Sequence, residues 1–130
     1  MYTILLIAAI IIVWFIVCFA RTKNRRQEYQ DAVESYVDEI FSSQSYRPEV
    51  NAGFAYGIPY FRLKFKSDQD KEHAISSGLT EQFIRSVQAL CGELRPRGQA
   101  FTAERAVEIY SMEDEKRWAQ KAAAFRKGKR

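Results

Sequence analysis

The chain has one histidine, two cysteines and three prolines in 130 residues, and each scarcity removes a class of function. Structural zinc takes four Cys or His ligands and catalytic zinc usually three protein ligands including His, which His73, Cys18 and Cys91 do not supply. Cys18 lies in an apolar run and Cys91 in an expected amphipathic helix, so the two are not expected to pair. The lack of a disulfide framework fits a reducing compartment, and each thiol reads as a small apolar filler. Gly53 and Gly57 stand alone, so no phosphate-binding glycine loop exists. Ser76, Ser77 and Ser86 have no elbow motif around them, and nothing pairs a nucleophile with a base held by an acid. Asp68, Asp70 and Glu72 lie near His73 but lack the glycine and the terminal glutamate of a calcium loop; they read as a solvated helix start. No catalytic residue, metal or cofactor is expected, and the chain reads as non-enzymatic.

Charge is missing from one place. Residues 1–20 contain no charged side chain, whereas Arg21, Lys23, Arg25 and Arg26 follow at once and Arg126, Lys127, Lys129 and Arg130 close the sequence. The net charge of +4 is therefore concentrated at two ends, and residues 27–125 carry −4. A nucleic-acid-binding body would carry its basic residues along one face, so nucleic acid is not an expected partner.

What fills the uncharged stretch is hydrocarbon. Residues 4–20 read ILLIAAIIIVWFIVCFA, of which twelve are Ile, Leu, Val or Phe. About 20 residues of helix cover a hydrocarbon layer of about 30 Å, so residues 1–20 are expected to form a transmembrane helix. A cleaved signal peptide fits less well: no Lys or Arg precedes the run, the run is too long, and Arg21 directly follows a weak small-x-small site. The basic cluster Arg21, Lys23, Arg25 and Arg26 acts as a stop-transfer signal and is positioned to meet anionic lipid headgroups. It places the N-terminus outside and the body in the cytoplasm of a plasma (bacterial inner) membrane.

Residues 21–26 form a basic juxtamembrane segment, residues 27–125 a small cytoplasmic α+β domain and residues 126–130 a basic tail. Tyr29, Ala32, Val33, Tyr36, Val37, Ile40 and Phe41 fall at steps of three and four, so the span is expected to continue as an amphipathic helix to about Phe41. Residues 42–51 read as a polar connector. Phe54 and Tyr56, then Phe61, Leu63 and Phe65 alternating with Arg62, Lys64 and Lys66, predict a β-hairpin turning at Gly57-Ile58-Pro59. Ser67 begins a helix that stops at Gly78. Thr80 caps a second helix carrying Phe83, Ile84, Val87, Leu90 and Cys91, ended by Gly92. Residues 102–110 read as helix, with residues 106–110 also readable as strand. Ser111 caps a last helix with Glu113, Asp114 and Glu115 in its first turn and Trp118, Ala122 and Phe125 on one face. The fold class is α+β: an N-terminal transmembrane helix continuing into an amphipathic helix, then a β-hairpin packed with three or four helices.

Aromatic residues carry the expected contact surface. Tyr46, Phe54, Tyr56, Tyr60 and Phe61 crowd the hairpin region; Phe54 and Phe61 read as core, Tyr56 and Tyr60 as partner-binding residues flanking the turn. The layout is similar to that of small membrane-anchored immunity proteins of bacterial toxin systems, which neutralise a toxin by binding it. The likeness lies in layout alone. The expected function is a membrane-anchored protein-binding module (adaptor, accessory subunit or inhibitor) with an unknown protein partner, set against a lipid-surface protein using its basic ends and a membrane-bound enzyme with an unrecognised site, which a loss of function on substituting His73 would favour.

Overall fold

No glycine or proline occurs in the first 40 residues, so nothing interrupts the helix that begins in the apolar run. A computed structural model describes residues 2–128 apart from the side chains of Thr22 and Lys23, and in it α1 is unbroken over Tyr2–Ile40. The side-chain role expected of Lys23, and those of Lys129 and Arg130, lie outside the described residues. The first half of α1 is apolar and long enough to cross a membrane, and among the described residues it is exposed along its length. In the second half Val33 and Val37 are fully buried and Phe41 nearly so. One helix is therefore exposed hydrocarbon at one end and protein core at the other.

Beyond α1 the order is β1 (Glu49–Ala55), β2 (Ile58–Phe65), α2 (Asp68–Ser76), α3 (Leu79–Cys91), a 3-10 turn at Pro96–Gly98, α4 (Ala103–Ala106), β3 (Val107–Ser111) and α5 (Met112–Gly128). The strands form one sheet in the order β1-β2-β3, with β1 antiparallel and β3 parallel to β2. Phe61, Leu63 and Phe65 alternate onto the face that packs with Val33 and Val37 of α1, Phe41 just past its end, and Phe83 and Val87 of α3. Full burial of each such side chain stabilises the fold by roughly 1.5–3 kcal/mol. Aromatic rings bracket this layer: Tyr29 lies edge-on to Phe61 at 6.2 Å, and Phe41 edge-on to Phe65 at 6.0 Å.

The α+β class stands, and four local expectations change. The hairpin turns at Tyr56-Gly57, where both residues have positive φ (54° and 78°), giving a two-residue loop that matches strand twist. Pro59 is a strand residue paired with Phe54, one position in from the closing pair Ala55–Ile58. That is a position where β1 requires no donor and where β3 has not yet begun, so the missing N–H costs nothing. The connector ends earlier than expected, because β1 starts at Glu49. Gly78, in a left-handed conformation (φ 78°), stands at the N-cap of α3, and Thr80 is buried one residue inside the helix. Residues 102–110 divide into the short α4 and the strand β3, since the open edge of β2 needs a pairing partner.

Two glutamines do the work of an extra strand. Gln30 of α1 donates to the Val50 carbonyl (2.8 Å) and accepts from the Ala52 N–H (2.7 Å), on the outer edge of β1. Gln88 of α3 repeats this, donating to the Phe101 carbonyl (3.1 Å) and accepting from the Ala103 N–H (2.8 Å). Arg26 donates to the Ala52 carbonyl at 3.3 Å, so it belongs to the folded domain as well as to the basic segment. We predict that Gln30→Ala, which strands partly buried backbone groups, destabilises the fold by about 1–3 kcal/mol in urea unfolding and speeds hydrogen exchange at Ala52. Gln27→Ala, which loses only an exposed bond to Asp31, should change stability by less than about 0.5 kcal/mol.

Candidate functional site

The polarity of the packing decides what stands at each end of the domain. Tyr29 meets Phe54 at 5.5 Å, near the end of β1, while Phe41 meets Phe65 at the far end of β2. With Gln30 holding Val50 and Ala52, β1 runs antiparallel to α1, and the hairpin tip points back towards the apolar half of α1. α3 is also antiparallel to α1. Its early residues Gln82 and Arg85 share a hollow with Tyr36 and Ile40, whereas Cys91 at its end lies beside Tyr29. The 3-10 turn that follows α3 therefore lies at the same end as the hairpin tip.

Between these two loops is a cleft of about 490 Å³. Tyr56, Pro59 and Tyr60 line one side, and Arg97, Phe101 and Arg105 the other. No carboxylate lines it. Both expected contact residues, Tyr56 and Tyr60, are here, in different settings. Tyr56 stands at the apex, 92% exposed. Tyr60 lies across Gly53 on the neighbouring strand, so closely that a Cβ at position 53 would come within 2.5 Å of its ring.

Arg97 and Arg105 are site residues that sequence reasoning missed. The Arg97 guanidinium lies over the Tyr56 ring at 5.9 Å, and Arg97 also has positive φ (55°). These are the two non-glycine residues with positive φ among the described residues, and they touch each other. Such a conformation costs an L-residue roughly 1–2 kcal/mol, and non-glycine residues held there concentrate at functional sites. The available signal was Pro96 and Gly98 flanking a lone arginine, a turn that presents its central side chain outward.

Outside the cleft, the open face of the sheet carries Tyr60, Arg62, Lys64, Glu108 and Tyr110. Arg62 lies over the Tyr60 ring at 5.7 Å and pairs with Glu108 at 3.1 Å. Lys64 reaches Glu115 at 2.9 Å, and Trp118 leans on Tyr110 with centroids 5.6 Å apart. From Lys116 to Gly128 all of α5 is exposed, and of the expected Trp118, Ala122 and Phe125 it is Trp118 that leans on Tyr110 of the sheet.

At the opposite end a charged cluster ties α2, β3 and α5 together. The Ser111 hydroxyl accepts from the Asp114 N–H (3.1 Å), the cap expected from sequence, and Asp114 accepts in turn from the Ser111 N–H (3.0 Å), which makes the cap reciprocal. Lys71 pairs with Asp114 at 2.7 Å, and Arg117 bridges Asp68 (2.8 Å) and Asp114. The Arg117 guanidinium, with the Ser111 hydroxyl, holds the Asp68 carboxyl down at about 2; Lys71 and then Arg117 hold Asp114 well below the usual carboxylate range. Burial pushes the Cys91 thiol up to about 11, which keeps it protonated and unreactive near neutral pH.

Among the described residues no three His, Cys, Asp or Glu side chains converge around His73. Its Nδ1 lies 2.7 Å from the Tyr46 hydroxyl and its Nε2 3.4 Å from the Ser77 hydroxyl. Ser77 is the C-cap of α2, and the N–H groups of Ser77 and Gly78 are committed to the His73 and Ile75 carbonyls. The negative end of a helix with no free amides is a poor place to stabilise an oxyanion. Compared with known proteins, the chain matches no family model, no curated protein and no solved structure.

Tyr56→Asn should stabilise the hairpin by up to about 1 kcal/mol in thermal or urea unfolding, because asparagine tolerates the left-handed conformation that tyrosine is held in. Asp68 has a folded-state value of about 2 against about 3.9 in an unfolded chain, so its contribution is complete above pH ~4 and is lost as pH falls towards 2. The urea midpoint should fall across that window, and Asp114→Asn should flatten the fall and lower the midpoint at neutral pH.

Proposed function

We propose that this chain is a single-pass, membrane-anchored, non-enzymatic protein-binding module whose body works at the cytoplasmic face of the plasma (bacterial inner) membrane. The observation that carries the reading is α1. One uninterrupted helix leaves an apolar stretch fit to cross a bilayer, passes Arg21, Arg25 and Arg26, and becomes a core element of the domain through Val33 and Val37. The body cannot drift from such an anchor, because there is no flexible linker between them. An adaptor, an accessory subunit or an inhibitor of the toxin-immunity kind each needs a presented surface held at the membrane. The sheet offers one in Tyr60, Arg62 and the Tyr110–Trp118 pair, aromatic and arginine groups of the kind that dominate binding hot spots.

A membrane-bound enzyme is the second reading, favoured by the Ser77–His73–Tyr46 arrangement. Against it stand the 3.4 Å Ser77–His73 separation, a tyrosine hydroxyl where an orienting carboxylate belongs, and the helix C-terminus beneath the serine.

Full-length chain should stay in the membrane through an alkaline carbonate wash, and a phosphatase fused to its C-terminus should be inactive while a fluorescent protein there is bright. Release by carbonate, or an active phosphatase, refutes the anchor or its orientation. In complementation of a deletion strain, Tyr60→Ala with Arg62→Ala should lose function through binding weakened at least about 30-fold, the scale of a hot spot. His73→Ala should complement fully; its failure, with the fold intact by circular dichroism, would favour the enzyme.

A further inference from the structure

We propose that the hairpin tip is a foot on the bilayer: Tyr56 and Arg97, with Arg95 and Arg105 behind them, take the phosphate groups of anionic lipids, and Tyr60 and the sheet are left to the protein partner. The inference rests on α1 being a span.

The heights agree. Along the helix, Tyr29 stands about 13 Å beyond Ala20, at 1.5 Å per residue. Tyr29 is level with Phe54, and the chain runs two residues further back to Tyr56, recovering about 7 Å at 3.3 Å per residue. The remaining gap, about 6 Å, is the thickness of a headgroup layer and close to the length of a tyrosine side chain. α3 runs the same way as β1 and delivers Arg95 and Arg97 to the same level.

The chemistry agrees as well. Arg95, Arg97 and Arg105 are exposed, the cleft has no lining carboxylate, and no ion pair is formed by these three among the described residues. Glu93 is the one acid between Gly92 and Phe101. Arg26, bonded to the Ala52 carbonyl, adds a cation beside the hairpin, and Arg21 and Arg25 precede it in α1. Lipid phosphates are the anions that this end meets by position, and an exposed tyrosine is the side chain that sits at a membrane–water boundary with its ring among the headgroups. The left-handed Tyr56 and Arg97 are held in cation–π contact, so ring and guanidinium are presented as a unit.

The test uses the full chain in lipid nanodiscs, either of neutral phosphatidylcholine or with one-third phosphatidylglycerol, each doped with a gadolinium-chelating headgroup. Amide relaxation is read at the tip (residues 55–58), in the turn (95–98) and, as a far-end control, at Ser42 and Ser43. The expected result is strong broadening at tip and turn and none at the control, greater with phosphatidylglycerol. Arg95→Gln with Arg97→Gln should lower the docked-to-undocked ratio roughly fivefold per arginine. Tip amides broadened no more than Ser43 in discs that have incorporated the chain overturn this inference and leave the anchor standing; the arginines would then face a protein carboxylate. A chain that fails to enter the discs overturns both.

Discussion

The fold depends on one element serving two solvents. α1 is exposed apolar surface, long enough to cross a membrane, over its first half and a core helix over its second, and the change is made without a break in the helix. What fixes the sheet to it is the pair of bonds from Gln30 to Val50 and Ala52, laid over the burial of Val33 and Val37. A side-chain amide has one donor and one acceptor spaced to match the C=O of residue i and the N–H of residue i+2 on an extended strand. Gln30 therefore closes an open sheet edge with a helix, which also denies that edge to another chain. Gln88 applies the same match at Phe101 and Ala103, and so ties the loop after the 3-10 turn back to α3. Net contributions of such bonds are about 1 kcal/mol each, but the cost of leaving them unmade is larger, and that asymmetry enforces the register.

The antiparallel setting of β1 and α3 against α1 then gives the domain two unlike ends. Towards the apolar half of α1 lie the hairpin tip and the 3-10 turn, strained, aromatic and basic. At the other end lie the caps and ion pairs of Asp68, Lys71, Ser111, Asp114 and Arg117, where backbone geometry is regular and carboxylates are well satisfied. Backbone strain and arginines without an ion pair among the described residues share one end, and the densest charged cluster lies at the other. A protein that had only to be stable would not hold a tyrosine and an arginine at positive φ against each other.

Much of this was legible in the residues. The helical stripe from Tyr29 to Phe41, the alternation Phe61, Leu63, Phe65 and the Ser111 cap all rest on local periodicity or local chemistry, and each appears as read. The third strand did not declare itself, because Ala106, Ile109 and Tyr110 fit helical spacing as well as alternation; the choice belongs to β2, whose edge lies over 40 residues away in sequence. The turn was misplaced because Pro59 looks like a turn residue until the pairing phase is known. Of the candidate site, the two tyrosines were visible as exposed aromatics beside glycine. Arg97 and Arg105 were not, since only the tertiary approach of two loops makes them a site.

The rigidity of α1 bears on how strong any contact at the membrane end has to be. A body on a flexible linker would explore a large volume, and docking would have to overcome that freedom. On the proposed reading the rod sets height and heading before any contact forms, so a few arginine–phosphate contacts, each of about 1 kcal/mol, would be enough to settle the orientation. A weak foot is also a reversible one. On the proposed reading it would hold the open face of the sheet, with Tyr60, Arg62 and Trp118, at a constant distance and angle from the bilayer, which is the condition under which a small surface can select a partner that is itself confined to the membrane.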